Sequence, residues 1–235
     1  MVLDGPLGEP ALARGITWGR YVTGRYAGLI MAPGGGSILR WFLEQFARDE
    51  VSAALGSGAD PYESLLDSLP REPAHAMVLP HLQGSLAPWR DPASNGAIVG
   101  LTLATTREEL LRAVLEAIAL ELRLNLEPVA GGPAVRPPIR NTGGGARSPG
   151  SVQLKADVLG RPIATVAARE PGCLGAAILA GVATGTYPDV RSAQERLCRV
   201  DRIVEPDPAT RAHYDARFEL YRTFYPAVRA LTGGL

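Results

Sequence analysis

Apolar positions along this chain recur with two periods, one of strands and one of helices. Residues 16–31 are rich in β-branched and aromatic types and are interrupted by Gly19 and Gly24, so they predict a β-hairpin. Beyond it, Ile38, Phe42 and Phe46 share one helical face. Residues 52–75 are mixed and polar, with one short helix at about 62–69, and read as surface connection. Residues 77–79 predict a brief strand, 84–95 a turn-rich ordered loop, and 97–103 another strand. Thr106 with Glu109 three residues later forms a capping box, and Leu111, Val114, Leu115, Ile118 and Leu122 carry the buried stripe of a long helix to about Leu126. Residues 129–138, with two glycines and three prolines, read as a loop that shortens the following strand. Pro149 then starts a helix through Val158, 162–167 is a strand, and 172–183 and 189–197 are helices, the first of them read as buried. Asp207-Pro208 opens the last helix, where Tyr214, Phe218, Tyr221 and Tyr225 form an aromatic stripe against the body and Pro226 predicts a kink. Strands first, then alternating strand and helix, imply an α/β chain with a mixed sheet flanked by helices.

Composition narrows the function classes. The 235 residues carry 24 basic and 24 acidic side chains, with no Lys/Arg cluster, which argues against nucleic acid and against an anionic membrane as partner. The opening residues show no secretory signal, and the longest uncharged stretch is Gly- and Ala-rich and too short to span a bilayer. Cys173 and Cys198 are the two cysteines, read as core thiols in a reducing, cytoplasmic compartment.

Candidate chemistry lies in two glycine loops that each precede a helix. Thr142-Gly143-Gly144-Gly145-Ala146-Arg147-Ser148-Pro149 reads as strand, bare turn and helix start, a place where backbone N–H groups and the positive helix end attract an anion. An ordinary left-handed turn shares that pattern. The loop lacks the Gly-Lys-Ser/Thr ending of a P-loop, and Ser148 stands where the dinucleotide fingerprint needs its third glycine. Ala32-Pro33-Gly34-Gly35-Gly36-Ser37 is the second such loop. No catalytic set is complete. His81, between Pro80 and Leu82, reads as a hydrogen-bonded structural histidine, and His75 and His213 have no partners at metal-ligand spacing. Asp4 and Asp91 are not taken as a base, nor is Asp157, for which a salt bridge on a helix is expected.

The order of motifs extends this. Leu79-Pro80-His81-Leu82, the turn ending at Asp91-Pro92, and the segment from Gly96-Ala97-Ile98-Val99-Gly100-Leu101 to Ala113-Val114-Leu115-Glu116 resemble the C-terminal domain of the FGGY carbohydrate kinases. The triple-glycine loop, Lys155-Ala156-Asp157-Val158-Leu159-Gly160 and Glu170-Pro171-Gly172-Cys173-Leu174-Gly175-Ala176-Ala177 continue the match in order, over about residues 12–231, and look closest to the xylulokinase type. The resemblance implies a ribonuclease-H-like, actin-like ATPase fold, with residues 1–235 as a single C-terminal domain and the N-terminal sugar-binding domain absent. It implies that Gly143, Gly144, Gly145, Ala146, Arg147 and Ser148 lie along the adenosine of ATP, and that Gly35, Gly36 and Arg40 lie near its phosphates. It also implies that Gly175, Ala176 and Ala177 are a hinge between domains. Ser85, Leu86, Ala117 and Pro137-Pro138 depart from the family pattern, and the family's phosphate loops and catalytic Asp have no match.

The expectation is the ATP-binding half of a sugar kinase, moving the γ-phosphoryl group of ATP, with Mg²⁺, to a pentulose such as xylulose together with a missing N-terminal half. Such a half would expose an apolar face and form a homo-oligomer or join a complementing chain. A non-catalytic nucleotide-binding remnant is an alternative. An NAD-dependent oxidoreductase, with Glu170 as ribose ligand, is the third.

Overall fold

The early hairpin turns at Gly24, whose φ is 78°, while Gly19, expected to break the run, lies within the first of its strands and pairs with Ala27. The computed structural model describes residues 2–3, 5–32, 34–67, 69–130, 138–168 and 170–232. Strands β1 (Val2–Leu3), β2 (Thr17–Arg20) and β3 (Tyr26–Leu29) form an antiparallel sheet in the order β1–β3–β2, Trp18 facing Gly28, with the short helix α1 (Glu9–Ala13) between β1 and β2. Helix α2 (Gly35–Phe46) follows, and Gly34 before it has φ 97°. A Cβ at Gly34 would lie 2.5 Å from Ile38 Cδ1, so that turn needs glycine. Ile38, Phe42 and Leu43 are buried, whereas Phe46 ends the helix 45 % exposed, against the rings of Trp41 and Phe42.

The segment read as connection holds two helices, α3 (Arg48–Gly56) and α4 (Pro61–Asp67). Helix α3 has no buried residue, which is why it left no periodic stripe. Strands β4 (Met77–Leu79) and β5 (Ala97–Val99) pair antiparallel, β5 being shorter than expected. Helix α5 (Arg107–Ala130) starts with Thr106 Oγ1 accepting the Glu109 N–H at 3.2 Å. Only half of the capping box forms, since the Glu109 carboxylate accepts the His75 N–H instead. The stripe holds for Leu111, Val114 and Leu115 but leaves Leu122 36 % exposed. Of the loop expected at 129–138, residues 129–130 instead continue α5, and 131–137, Pro137 included, lie outside the described residues, as does Asp4.

Strand β6 (Ile139–Asn141), helix α6 (Pro149–Leu159) and β7 (Ile163–Val166) make a parallel crossover, and β8 (Val200–Val204) adds antiparallel to β7. Among the described residues the strands form three small sheets, of which this last is the mixed one. Helices α7 (Pro171–Ala183), α8 (Val190–Leu197) and α9 (Arg211–Thr232) complete the chain, α9 running through Pro226. Its Tyr214, Phe218 and Tyr221 pack with Leu120 of α5 and Leu154 and Val158 of α6 in the main core. Each such side chain contributes roughly 1.5–3 kcal/mol by leaving water.

A buried polar network ties this core together. The Glu116 carboxylate, fully buried, accepts the Ala74 N–H at 3.1 Å, Arg112 Nε–H at 3.0 Å and the Tyr214 hydroxyl at 3.1 Å. His81 is the structural histidine expected, 1 % exposed with Nδ1 2.7 Å from Ser94 Oγ. Among the described residues Asp157 makes no salt bridge; its Oδ1 accepts the Asp207 N–H and the Gln153 side-chain amide, both at 2.8 Å.

Two expectations are overturned. Only Ile178 of α7 is buried, and Leu179 is 48 % exposed, so that helix is not a core element. Cys173 is exposed and Cys198 half-buried; both are free thiols and neither belongs to the core. Among the described residues no helix is long and apolar enough to cross a membrane. Leu29, Met31, Leu101, Leu103 and Ile203 are exposed apolar side chains.

Candidate functional site

Both glycine loops open on one cavity of about 500 Å³. Gly35, Gly36, Leu39 and Arg40 line it from the first turns of α2, and Gly144, Gly145, Arg147 and Ser148 line it from the second loop. Leu115 and Ile118 of α5 form its floor, and Ile118 Cγ2 lies 4.0 Å from where a Gly35 Cβ would stand, which seats the start of α2 on α5. Leu154 and Lys155 close the α6 side.

The two helix mouths differ. That of α2 has no side-chain cap, and Gly35 and Gly36 of its first turn line the cavity together with Arg40. That of α6 is partly satisfied. Pro149 lacks an N–H, the buried Ser148 Oγ accepts the Ser151 N–H at 3.3 Å, and Ser148 O accepts the Val152 N–H at 3.1 Å. The loop before it is a tight 3₁₀ turn, Gly144–Ala146, entered through Gly143 at φ 80°, and it turns the Ala146 and Arg147 N–H groups onto Gly143 O and Gly144 O. The expectation of free loop amides therefore fails for those two.

Gly143 and Ala146 also face elsewhere. They line a second cavity of about 490 Å³ beside Thr165 and Asp201, which Arg147 borders as well. Seven of the nine expected ATP-site residues thus share the first cavity. Gly175, Ala176 and Ala177 sit on α7, away from it, with nothing within 4 Å of a Cβ at Gly175.

Lys155, Asp60, Tyr62 and Leu66 line the cavity without having been expected. Asp60 starts α4 by accepting the Tyr62 N–H at 2.8 Å. Lys155 donates from Nζ to Gly145 O at 2.8 Å, and burial pushes its ammonium down to about 8. Its sequence signal was present: Ser151 and Lys155, four residues apart, fall on one face of α6, and the lysine stands among residues that are mostly buried. Three cations and one carboxylate line the cavity, a balance suited to a polyanion with an apolar end. Among the described residues no group of three His, Cys, Asp or Glu side chains is placed to hold a metal ion.

Solved structures resemble this arrangement throughout. Xylulose kinase from Lactobacillus acidophilus is 25 % identical with a TM-score of 0.78, covering 99 % of this chain and 45 % of its own. Gluconate kinase from the same organism is 26 % identical, with the same score and coverage. The chain therefore has the actin-like ATPase fold of these sugar kinases. Among curated proteins, gluconokinase of Bacillus subtilis (strain 168) is 36 % identical over 157 residues, 64 % of this chain and 30 % of that protein. Glycerol kinase of Dechloromonas aromatica (strain RCB) is 36 % identical over 197 residues, 83 % of this chain and 36 % of that protein. The model of the FGGY family of carbohydrate kinases, C-terminal domain, matches residues 23–184, and the chain belongs to that family. It spans about a third of the length of these curated relatives. Kinase membership removes the oxidoreductase alternative. The strand order agrees, because antiparallel β8 ends the parallel succession that a dinucleotide fold continues.

Proposed function

We propose that this chain is the ATP-binding half of an ATP-dependent carbohydrate kinase, acting as one C-terminal unit over residues 1–235 with a separate sugar-binding half. The observation that carries this is the convergence of Gly36 and Gly145 on one cavity of nucleotide size. The uncapped mouth of α2 and Arg40 hold the triphosphate, and the apolar walls take the adenosine. In the reaction the bond from the γ-phosphorus to ADP breaks and one to a sugar hydroxyl forms, the hydroxyl proton passing to a carboxylate of the other half. Mg²⁺ would arrive with the phosphates. Gly175, Ala176 and Ala177 serve as the hinge between the halves, in a cytoplasmic homo-oligomer or a complementing pair of chains. A small pentulose such as xylulose is the favoured acceptor.

Titration calorimetry of the chain with ATP and with NAD tests the nucleotide assignment, ATP binding being expected. NAD binding without ATP binding overturns it. Mixing the chain with a xylulokinase N-terminal half and measuring ADP formation with xylulose, gluconate and glycerol tests the kinase assignment. Asp60, the cavity's carboxylate, already caps α4, which supports a second proposal of a nucleotide-binding module without chemistry of its own. ATP binding without sugar-dependent turnover in any mixture selects that second proposal.

A further inference from the structure

We propose that Lys155 reads the purine of the bound nucleotide by donating a hydrogen bond to one of its ring nitrogens. The inference rests on the nucleotide proposal above and adds to it the residue that recognises the base.

The unequal helix mouths orient the ligand. At α6 the Ser151 N–H is capped by Ser148, Pro149 has no N–H, and the loop amides of Ala146 and Arg147 turn inward, so fewer amides remain there for phosphate than at the uncapped α2. The open mouth of α2 takes the anionic end. The flat end then lies toward α6, where Leu154 and the neighbouring Leu115 supply the apolar contacts a purine needs. Lys155 stands at that end. Gly145 O accepts one of its three N–H groups at 2.8 Å, and it has no carboxylate partner among the described residues. An ammonium is donor-only, so it matches the acceptors N1, N3 or N7 of adenine and cannot serve the 6-amino group.

The burial that lowers the ammonium's basicity makes each further N–H donated to a ligand more valuable, because water competes poorly there. A phosphate contact would predict something different. Charge removal would then weaken every nucleotide alike, whatever its ring atoms.

The test is binding of ATP and its 1-deaza, 3-deaza and 7-deaza analogues to the chain and to Lys155→Met, by calorimetry. In the wild-type chain one analogue is expected to bind about tenfold more weakly than ATP, the worth of one hydrogen bond to a charged donor. In Lys155→Met that gap closes to within about threefold, and Lys155→Gln, which keeps an N–H donor, retains part of it. Melting temperatures of the variants check that they fold, and the Gln variant carries the test if the Met variant does not. Equal weakening of ATP and all three analogues by Lys155→Met overturns the proposal while leaving the nucleotide site standing. So does indifference of the wild-type chain to all three deletions. Absence of ATP binding to the wild-type chain overturns both.

Discussion

Gly36→Asp separates the fold from the ligand. A Cβ at Gly36 meets no heavy atom within 4 Å, and its backbone lies outside the left-handed region, so the side chain enters without strain. Helix α2 has no acidic residue in its first turn and no side-chain cap. Aspartate is only slightly better than glycine as a helix former, and a carboxylate near a helix N-terminus is worth about 0.3–1 kcal/mol, so stability should rise by about 0.5–1 kcal/mol. The same carboxylate opposes a phosphate bound at that mouth. At a separation of about 5 Å, one pair of charges repels by roughly 0.8 kcal/mol in water and roughly 3 kcal/mol at a protein surface. ATP affinity should therefore fall about tenfold or more, while adenosine, which carries no phosphate, binds as before. Calorimetry with both ligands reads this, and raising the salt should recover part of the loss. Gly36→Ala is the neutral control. If ATP and adenosine weaken by the same factor, or ATP stays within about threefold of wild type, the mouth of α2 is not the phosphate site.

Two further predictions concern stability. Lys155 has its ammonium lowered to about 8 in the folded chain against 10.5 when exposed, so between those values the unfolded chain binds more protons and stability rises with pH. Below pH 8 a cost of about 3 kcal/mol is fully present; Lys155→Met removes it, and urea denaturation should show the variant's advantage at pH 7 shrinking by pH 10. A pH-independent difference would contradict this. Glu116→Ala leaves Arg112, Tyr214 and the nearby Arg217 without their shared carboxylate and should cost about 3–5 kcal/mol in guanidinium denaturation, with Glu116→Gln, which keeps an acceptor, losing less. A loss below about 1 kcal/mol for the alanine variant would mean that the network holds nothing together.

What the sequence disclosed was local. The glycine turn at 143–145, Pro149 at the first helical position and the Thr106 cap announce themselves within a few residues, because their physics is that of one turn of backbone. The aromatic stripe of α9 was legible for the same reason at Tyr214, Phe218 and Tyr221. What escaped depends on distant partners. Strand β8 was missed because Val200-Asp201-Arg202-Ile203-Val204 is exposed along four of its five residues and shows no alternation. Helix α7 was misjudged because a run of Gly, Ala, Leu and Ile has no polar face to tell which side the chain covers. Asp60 and Tyr62 joined the site from a segment whose polarity suggested only solvent, since nothing in 60–62 records that α4 ends beside α6.

The asymmetry of the cavity follows from how its walls are held. Leu115 and Ile118 lie on α5 either side of Glu116, whose bonds to Arg112, Tyr214 and the Ala74 backbone fix α5 against α9 and the approach to β4. The floor is therefore set by a buried polar network on the opposite face of the same helix. Helix α2 rests on that floor through Gly35, and α6 packs beside it with its Ser151 amide capped by Ser148. One mouth is left to attract an anion, and the other presents apolar side chains and one donor-only lysine. A symmetric pair of open helix ends would grip a polyphosphate in either sense. This pair favours a ligand charged at one end and flat at the other, and gives it a direction before any second domain closes over it.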